Sequence, residues 1–455
     1  MKNSSSTLII PVGRQVTEMD GKLLLSCVAA ERGFSVIIGS RPYIHFKVDS
    51  IQRGVYLAKN MRKRSIRMFD ILRKLGHEIV AWDEGGLVRE PDIEFYRWRL
   101  SPVTMGQISH IIAWGPDVAR TFRGYPGYHG APIHITGNPR FDLMRKELRG
   151  YYQPQVNAIH ERFGDMILVN TNFSKVNHFY PNLSSLKNAL EAKNSKGVNS
   201  FDVEWGHHKL SLFKHFQEML PSLCEALPDH TVVVRPHPAE NHGPWLAIAE
   251  RCKNLQIAND GSVTPWLMAA KTLIANGCTT QVEAAVLDTP TVSYQPVRSE
   301  EFDFELPNSL SRRVFSLDEL CIMIHAMVKG ELGPLDYAAR RKILDPHIAA
   351  LDGPLAAERM VQVLEAEGYN KSQPPAAPIG DYIQGWVSNK VATMVKHINM
   401  RRPGHRNNLT YHAHRFPDIS VEEIRKKVAC LGKLLNRFET IKVIQLSKHI
   451  FRIRT

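Results

Sequence analysis

An arginine and a histidine follow an apolar run that predicts a buried strand. Val232–Val234 lead directly into Arg235, Pro236, His237 and Pro238. The two prolines stiffen the backbone after the strand, which suits a cation and an imidazole aimed at a phosphate or a reacting oxygen. We expect Arg235 to bind phosphate and His237 to act in catalysis. The alternative is a structural or solvated histidine, since the chain contains 20 of them.

A second candidate for phosphate binding begins at Gly277, where a predicted strand turns into a predicted helix. Gly277 permits a tight turn. Cys278, Thr279 and Thr280 then present backbone N–H groups and side chains at a helix N-terminus, which favours anions. One turn further, Glu283 can accept hydrogen bonds from ribose hydroxyls. The alternative is an ordinary capped helix with Glu283 facing water. No G-K-[ST] follows, so the motif is not a P-loop.

Polar residues also follow other predicted strands. Asn172 comes after the strand predicted over Met166–Asn170 and resembles a further phosphate-facing turn, for which simple turn chemistry is the alternative. In the N-terminal part, Asp20, Asp83 and Glu84 supply carboxylates after strands. Such a group can activate an acceptor hydroxyl or form a covalent sugar adduct. Acidic residues are also common helix N-caps, so a structural role is the alternative.

The segment Thr136–Asp142 lies directly after a predicted strand. Asn138 is a favourable N-cap, and Pro139 suits the first helical position. The backbone N–H groups of the next turn would then point towards a ligand. We expect Gly137, Asn138 and Arg140 to line a cleft or hinge, with an ordinary strand-to-helix turn as the alternative. No D-x-D motif occurs, so the sequence predicts no metal site.

Strand-like and helix-like patterns alternate along the chain and supply the elements that position these residues. Strands are predicted over Thr7–Val12, Phe34–Gly39, His77–Trp82, His110–Trp114 and Pro132–Thr136, with helices over Leu23–Glu31 and Lys59–Lys74. The pattern restarts after residue 154, with strands over Met166–Asn170, Thr231–Val234, Leu255–Ala258, Thr272–Ala275 and Thr291–Tyr294. This alternation predicts an α/β fold with mostly parallel sheets. Two such series predict two Rossmann-like domains facing a central cleft, lined by the carboxyl ends of both sheets.

The predicted domain boundaries follow from these series. Residues 1–155 form one Rossmann-like domain, residues 156–370 a second, and residues 371–455 a linker with a basic helical tail. Within the second domain, Leu210–Leu227 is predicted to be a helix that is kinked or interrupted at Pro221. In the tail, Ser420 and Glu423 form a capping box before an amphipathic helix whose apolar stripe runs from Ile424 to Phe438.

The positive charge of the chain is concentrated in this tail. The 455 residues include 58 Lys/Arg and 45 Asp/Glu, a net charge of +13, of which residues 390–455 carry +11. A basic tail can meet anionic lipid, nucleic acid or a phosphorylated carrier. Nucleic acid is disfavoured because aromatic residues are not interleaved with the charges. The alternative for the tail helix is that its apolar stripe packs against the first domain.

Cysteine usage and hydropathy bear on the cellular compartment. The six cysteines form no C-x-x-C pair, which disfavours a zinc cluster and a disulfide framework. The N-terminus lacks a secretory apolar segment, and no apolar run approaches the ~20 residues that span a bilayer. We therefore expect a reduced, cytoplasmic protein.

Four stretches of the chain are similar to bacterial surface carbohydrate biosynthesis proteins. They are Gly13–Leu25 together with Ala29–Phe34, Trp82–Leu87, Thr136–Asp142 and Tyr411–Pro417. The resemblance extends over nearly the whole chain. It implies an activity in building cell-surface glycans.

More distantly, Arg235–Pro238 and Gly277–Ala284 resemble capsule Kdo transferases and CDP-glycerol transferases, and UDP-N-acetylglucosamine 2-epimerases share similar turns. The resemblance implies a GT-B-like architecture, with an acceptor-side domain in residues 1–155 and a nucleotide-sugar domain in residues 156–370. In capsule-type Kdo transferases an acid in an E-D-G-F segment is implicated. The matching segment here reads D-E-G-G, which leaves the assignment between Asp83 and Glu84 open.

The leading functional hypothesis is a metal-independent glycosyltransferase without a cofactor. It would move a sugar from a nucleotide-sugar donor, with a CMP-Kdo-like donor as one candidate, to a surface polysaccharide or lipid-linked glycan. The basic tail would hold it at the inner face of the cell membrane. The alternatives are a polyol-phosphate transferase of the CDP-glycerol type, a sugar-nucleotide 2-epimerase, and a non-catalytic protein that binds nucleotide-sugars or polyanions.

Overall fold

The computed structural model describes residues 6–181, 184, 200–405 and 407–455. The chain divides into two compact units. The first unit comprises Met1–Tyr151 and Asp345–Thr455, and the second unit comprises Tyr152–Leu344. The first unit is therefore built from two separate stretches of chain.

The first unit is organised around an eight-stranded sheet. Its strands are β1 (Thr7–Val12), β2 (Ser35–Ser40), β3 (Gly54–Ala58), β4 (Glu78–Trp82), β5 (His110–Ala113), β6 (Ile133–Ile135), β13 (Lys442–Ser447) and β14 (Ile450–Arg454). Their order is β13-β14-β2-β1-β3-β4-β5-β6. The first six strands of the chain, β1 to β6, are parallel to one another. β14 pairs with β2 in the antiparallel direction. The order reverses between β1 and β3, which is a topological switch point where ligands bind in such sheets.

Helices cover this sheet. They are α1 (Gln15–Glu31), α2 (Arg41–Lys47), α3 (Ile66–Lys74), α4 (Asp92–Arg99), α5 (Pro102–Met105), α6 (Pro116–Gly124), α7 (Pro139–Asp142), α16 (Ala356–Ala366), α17 (Ile379–Met400), α18 (Leu409–Arg415) and α19 (Val421–Leu435). Short 3₁₀ turns occur at Val48–Ser50, Lys63–Ser65 and Arg149–Tyr152. β1 and β2 are buried along their whole length, as expected for central parallel strands with helices on both faces.

The second unit contains a six-stranded parallel sheet. Its strands are β7 (Met166–Asn170), β8 (Thr231–Arg235), β9 (Leu255–Ile257), β10 (Ala270–Ala275), β11 (Thr291–Tyr294) and β12 (Arg312–Val314). The order β12-β11-β10-β7-β8-β9 is that of a dinucleotide-binding Rossmann fold, with its switch point between β7 and β10. The helices are α8 (Gln153–Phe163), α9 (Ser200–Ala226), α10 (Gly243–Ala249), α11 (Thr264–Ala269), α12 (Thr279–Val286), α13 (Glu305–Ser309), α14 (Leu317–Val328) and α15 (Tyr337–Leu344).

Two local predictions differ from the structure. The helix predicted over residues 59–74 begins only at Ile66, because Gly54–Ala58 forms an unpredicted strand and Lys59 follows its end. Of the two alternatives predicted at Pro221, an interruption is wrong, since α9 runs through this residue, whereas a kink there stays a prediction. Leu220 and Leu223 on either side are fully buried, and their packing offsets the hydrogen bond that proline cannot make.

The C-terminal stretch returns to the first unit, so the observed division differs from the predicted boundaries at residues 155 and 370. Residues 345–370 belong with the N-terminal domain rather than the nucleotide-sugar domain. The predicted capping box of α19 is present. Its apolar stripe is buried at Ile424, Val428 and Leu431, and α19 packs on α1. Of the two alternatives for this helix, packing against the first domain is the one observed.

Candidate functional site

The carboxyl ends of β7, β8 and β10 lie side by side in the second unit. Asn170 pairs with Arg235 in register, and β7 also pairs with β10. The sequence-predicted residues that follow these strands therefore lie at the same edge of the sheet. Crevices of this kind bind phosphate-containing ligands in open α/β sheets.

Asn172 connects two of the predicted segments. Its side-chain Nδ2 donates to the carbonyl oxygens of Asn276 at 3.0 Å and Gly277 at 3.2 Å. Gly277 has φ +54°, and a Cβ there would lie 3.0 Å from Phe304 Cδ2. The turn before α12 thus requires glycine for its conformation, and Asn172 fixes the position of that turn.

The N-terminus of α12 has the predicted form. Cys278 is the N-cap, and its backbone N–H donates to Gln281 Oε1 at 2.8 Å in a capping box. Thr279 and Thr280 occupy the first turn, where backbone N–H groups favour an anion. Burial raises the pKa of the Cys278 thiol, so this group is neutral at physiological pH. The alternative in which Glu283 faces water is wrong, because Glu283 is buried.

A buried glutamate organises the loop that carries His237. Glu240 accepts hydrogen bonds from His237 N at 3.2 Å, Phe173 N at 2.8 Å, Thr171 Oγ1 at 2.9 Å and Trp245 Nε1 at 3.2 Å. Burial raises its pKa to about 7 against the effect of these donors. Glu240 was not among the predicted residues. A glutamate three positions after the histidine of a proline-flanked loop is the signal that could have identified it.

His237 itself is partly exposed at the end of β8. Its Nδ1 accepts a hydrogen bond from Ala239 N at 3.2 Å. In the neutral imidazole the proton then lies on Nε2, which makes that nitrogen a donor. The ring is therefore held in one orientation with a defined tautomer, as a group that binds or protonates a ligand oxygen requires.

The Arg235 side chain contacts residues that follow β9. Its Nη2 donates to the Gly261 carbonyl at 2.6 Å, and the guanidinium lies 5.9 Å from the Trp266 ring centroid. The residue is buried. This geometry indicates that Arg235 positions the loop after β9, whereas its direct contact with phosphate stays a prediction.

A cluster of two carboxylates and two ammonium groups lies at the switch point of the first sheet. Lys22 Nζ is 2.9 Å from Glu18, 2.6 Å from Glu84 and 2.6 Å from the Pro11 carbonyl oxygen. Lys59 Nζ is 3.0 Å from Glu84 and also contacts Glu18. We call Glu18, Lys22, Lys59 and Glu84 the carboxylate–lysine cluster. Of its members, only Glu84 was predicted from the sequence.

The two carboxylates of the cluster differ in their electrostatics. For Glu84, burial and the nearby charge of Glu18 raise the pKa above its ordinary value. For Glu18, burial is outweighed by Lys22 and Lys59, which hold its pKa well below that value. Carboxyl groups whose environments push their pKa values apart are a common arrangement for acid and base catalysis. Glu84 is therefore the member suited to exchange a proton.

Asp83 has a different environment from its neighbour Glu84. It is fully buried and forms a two-point ion pair with Arg99, in which Nε lies 2.9 Å from Oδ2. Its Oδ1 also accepts from Gly85 N at 2.9 Å. Trp114 Nε1 donates to its backbone carbonyl at 2.7 Å. Asp83 thus anchors the loop, and the geometry favours Glu84 as the reactive carboxylate.

Asp20 is not brought together with these groups. Its carboxylate accepts hydrogen bonds from the Tyr151 hydroxyl at 2.9 Å and from Lys427 Nζ at 2.7 Å. Glu18 and Lys22 are four residues apart on one side of α1, whereas Asp20 lies between them on another side. Its contacts join α1 to α19, which is a structural arrangement.

The segment Gly137–Asp142 packs within the first unit. Asn138 Oδ1 accepts from Arg140 N at 3.0 Å, which confirms the predicted N-cap. Gly137 has φ +85°, and a Cβ there would lie 2.4 Å from the Ala349 carbonyl oxygen. The glycine therefore permits Ala349 to pack closely against this segment. A role of the segment in binding a ligand stays a prediction.

Four arginines surround the start of α1. Arg415 Nη2 donates to the Gly13 carbonyl at 2.8 Å. Burial, with Arg41 and Arg14 nearby, lowers the pKa of Arg415. Burial likewise lowers the pKa of Arg14, and the nearby charge of Arg140 lowers it further. Arginines this close repel one another and suit a bound anion. Of these four arginines, only Arg140 was predicted from the sequence to be a site residue. The others are separated in the chain, and the fold brings them together.

Comparisons with known proteins define the fold. No protein-family model and no curated protein sequence matches the chain. A solved structure of the wall teichoic acid polymerase TagF, a histidine-to-asparagine variant soaked with CDPG, is similar over 80% of this chain and 89% of that one, with 10% identity and a TM-score of 0.50.

Two epimerase structures are also similar. UDP-GlcNAc 2-epimerase from Methanocaldococcus jannaschii matches over 80% of this chain and all of that one, with 11% identity and a TM-score of 0.49. A putative UDP-N-acetylglucosamine 2-epimerase from Listeria monocytogenes matches over 82% of this chain and all of that one, with 12% identity and a TM-score of 0.49.

The likeness to TagF confirms the predicted fold class. The chain has a GT-B-like α/β fold with two Rossmann-like sheets and a helical C-terminal segment, to which the β13–β14 hairpin adds two unpredicted strands. The predicted resemblance to surface carbohydrate biosynthesis proteins is confirmed at the level of the fold.

Proposed function

We propose that this protein is a glycosyltransferase that transfers a sugar from a nucleotide-sugar donor, without a metal ion or cofactor. The observation that carries the proposal is that His237 and the N-terminus of α12 follow the carboxyl ends of β8 and β10, the two neighbours of β7, while Asn172 at the end of β7 holds the turn before α12 in place. His237 Nε2 and the backbone N–H groups of α12 are donors that can bind phosphate.

On the donor side, the leaving group is a nucleotide phosphate that gains negative charge as the sugar departs. Backbone N–H groups at Thr279 and Thr280, together with His237 Nε2, would stabilise this charge from fixed positions. Glu240 holds the His237 loop in place. Glu283 would accept hydrogen bonds from the ribose hydroxyls.

On the acceptor side, Glu84 would exchange the proton of the acceptor hydroxyl or act on the sugar. Its raised pKa brings it towards the working pH, where proton transfer is most effective. Lys22 and Lys59 fix its carboxylate by ion pairs. Asp83 would support this arrangement through Arg99 rather than react.

The acceptor would be a surface polysaccharide or a lipid-linked glycan. Arg14, Arg41, Arg140 and Arg415 favour an acceptor that carries a phosphate or carboxylate. The six free cysteines suit a reducing compartment, so the activity would take place in the cytoplasm. A position at the inner face of the membrane would give access to lipid-linked acceptors.

Polyol-phosphate transfer is the second candidate function, because the TagF variant that shares this fold was soaked with CDPG. That reaction breaks the phosphoanhydride of the donor, whereas sugar transfer breaks the bond between sugar and phosphate. The product of the reaction therefore distinguishes polyol-phosphate transfer from sugar transfer.

The test is incubation with CMP-, CDP-, UDP- and GDP-linked donors and a glycan acceptor, followed by mass spectrometry of the product. We expect transfer of a sugar, and loss of turnover in His237→Ala. The matched control is His160→Ala, since His160 is exposed on α8. Transfer of a polyol phosphate or formation of an epimer would replace this proposal. Turnover by His237→Ala equal to the wild type would overturn the role of the histidine.

A further inference from the structure

Helix α17 packs through a face of small and polar side chains. Gly385, Asn389 and Ala392 are its buried residues. A Cβ at Gly385 would lie 2.8 Å from Lys74 Cβ on α3, and Asn389 Nδ2 donates to Asp49 Oδ1 at 2.9 Å. The glycine permits close approach to α3, and the asparagine fixes the helix by a hydrogen bond. The apolar residues of α17 are therefore not the ones that hold it to the first unit.

The apolar residues of α17 lie instead on its outer face. They recur at helical spacing and are between 46% and 76% exposed: Ile379, Ile383, Val387, Val391, Met394 and Ile398. A surface helix of a water-soluble protein normally has the opposite arrangement. Tyr382 and Trp386 are also exposed beside this face. Contiguous apolar patches rimmed by polar residues mark surfaces that bind a partner or a membrane.

Positive charge surrounds this outer face. Residues 379–405 contain four Lys/Arg and one Asp/Glu. Arg401 and Arg402 are exposed at the C-terminal end. Lys390 lies at the edge of the outer face, where its ammonium pairs with the buried carboxylate of Asp49 in the first unit and lies over the Trp386 ring. Burial lowers the pKa of Lys396 to about 8, with smaller contributions from the nearby charges of Arg41 and Arg67.

We propose that α17 lies on the surface of an anionic lipid bilayer, with its outer aliphatic face in the headgroup region and the exposed Arg401 and Arg402 at its C-terminal end on lipid phosphates. An apolar helical face with basic residues beside it is the pattern of an interfacial helix. Aromatic residues such as Tyr382 and Trp386 also favour the headgroup region of a bilayer. No described helix meets the length and hydropathy that a bilayer-spanning segment requires.

A second copy of the chain is a less suitable occupant than a membrane. A twofold contact through α17 would bring together two copies of the same surface, and residues 379–405 carry four Lys/Arg against one Asp/Glu, so the two surfaces would have charge of the same sign. Anionic lipid instead complements this charge. From the sequence, membrane contact is expected of the basic tail, residues 371–455, and within that tail the apolar stripe of the helix after Ser420 is buried. The proposal does not depend on the transferase activity.

The test is co-sedimentation with vesicles of phosphatidylcholine alone or mixed with phosphatidylglycerol. We expect wild-type protein to bind the mixed vesicles and to be released at about 1 M salt, where charges are screened. Ile383→Asp/Met394→Asp should weaken binding at least about tenfold, because two aliphatic groups leave the bilayer. The matched control is Leu246→Asp/Ile322→Asp, two exposed aliphatic residues on helices of the second unit, which should bind like wild type.

Circular dichroism and size-exclusion chromatography of both double variants accompany this test. Absence of wild-type binding to anionic vesicles would overturn the proposal. Equal binding by Ile383→Asp/Met394→Asp would also overturn it. A wild-type dimer that the α17 variant converts to monomers, with no vesicle binding, would identify a second copy as the occupant.

Discussion

Asp83 and Glu84 are adjacent in the chain, and their carboxylates have different surroundings. Asp83 is held by Arg99, whereas Glu84 contacts Lys22 and Lys59. The sequence identified this pair but left the choice between them open. The fold gives the two carboxylates different partners, because Arg99 and Lys59 reach the pair from other parts of the chain. Partners of this kind have no local sequence signal.

We expect Glu84→Gln to lower turnover about 10²–10⁴-fold, the usual effect of removing an acid or base group. Nucleotide binding should be retained, because the proposed donor site lies in the other unit. If Glu84 acts as a base, kcat/KM of the wild type should fall as pH drops through its raised pKa, above the ordinary value of about 4.3. Kinetics against pH check both expectations.

Asp83→Asn is the counterpart of this variant. Because it removes the charge of the buried Asp83 and leaves Arg99 without its charged partner, we expect the free energy of unfolding to fall by about 3 kcal/mol in urea titration. Loss of turnover at unchanged stability would exchange the roles of the two carboxylates.

Glu240 gives a pH-dependent prediction. Its pKa is raised to about 7 by burial, whereas in the unfolded chain it titrates at about 4.3. The folded state therefore holds this proton more tightly, and the associated stability is present below pH ~4.3 and lost as pH rises through about 7. Glu240→Gln should show a smaller decrease of stability over this range. An unchanged pH dependence, followed by urea denaturation, would contradict it.

The elements most accessible from the sequence were the central strands and the helices with clear periodicity. β1, β2, β7, β8 and β10 read as short apolar runs because both of their faces are buried. β3 was missed although β7 and β8 are equally short; it begins with Gly54 and ends with Ala58, two residue types that are depleted in strands. The β13–β14 hairpin was also missed, because its docking on β2 depends on a contact between distant residues.

The packing of α19 gives a prediction at the scale of elements. Leu431 is fully buried, so Leu431→Ala should lower the free energy of unfolding by about 2–5 kcal/mol. The matched control is Leu446→Ala in β13, where the side chain is largely exposed and the change should stay within about 0.5 kcal/mol. Urea denaturation measures both. Equal stability of Leu431→Ala and the wild type would mean that α19 does not hold the first unit together.

Over the whole molecule, the first unit combines both ends of the chain, and the second unit is formed by a single stretch. The sequence predicted two Rossmann-like domains correctly but assigned residues 345–370 to the second. Amphipathic helices such as α16 give no sign of which sheet they cover. Their location is decided by long-range contacts, among them Asp142 accepting from the backbone N–H groups of Ala356 and Ala357.

The central claim is that the second unit binds a nucleotide at its β7/β10 switch point. Isothermal titration of the full chain with CMP, CDP, UDP and GDP tests it most directly. We predict binding of at least one of these nucleotides, weakened about tenfold or more in His237→Ala, which removes a hydrogen bond to a charged phosphate, and unchanged in Glu84→Gln. Failure of all four to bind, or equal binding by His237→Ala, would contradict the account.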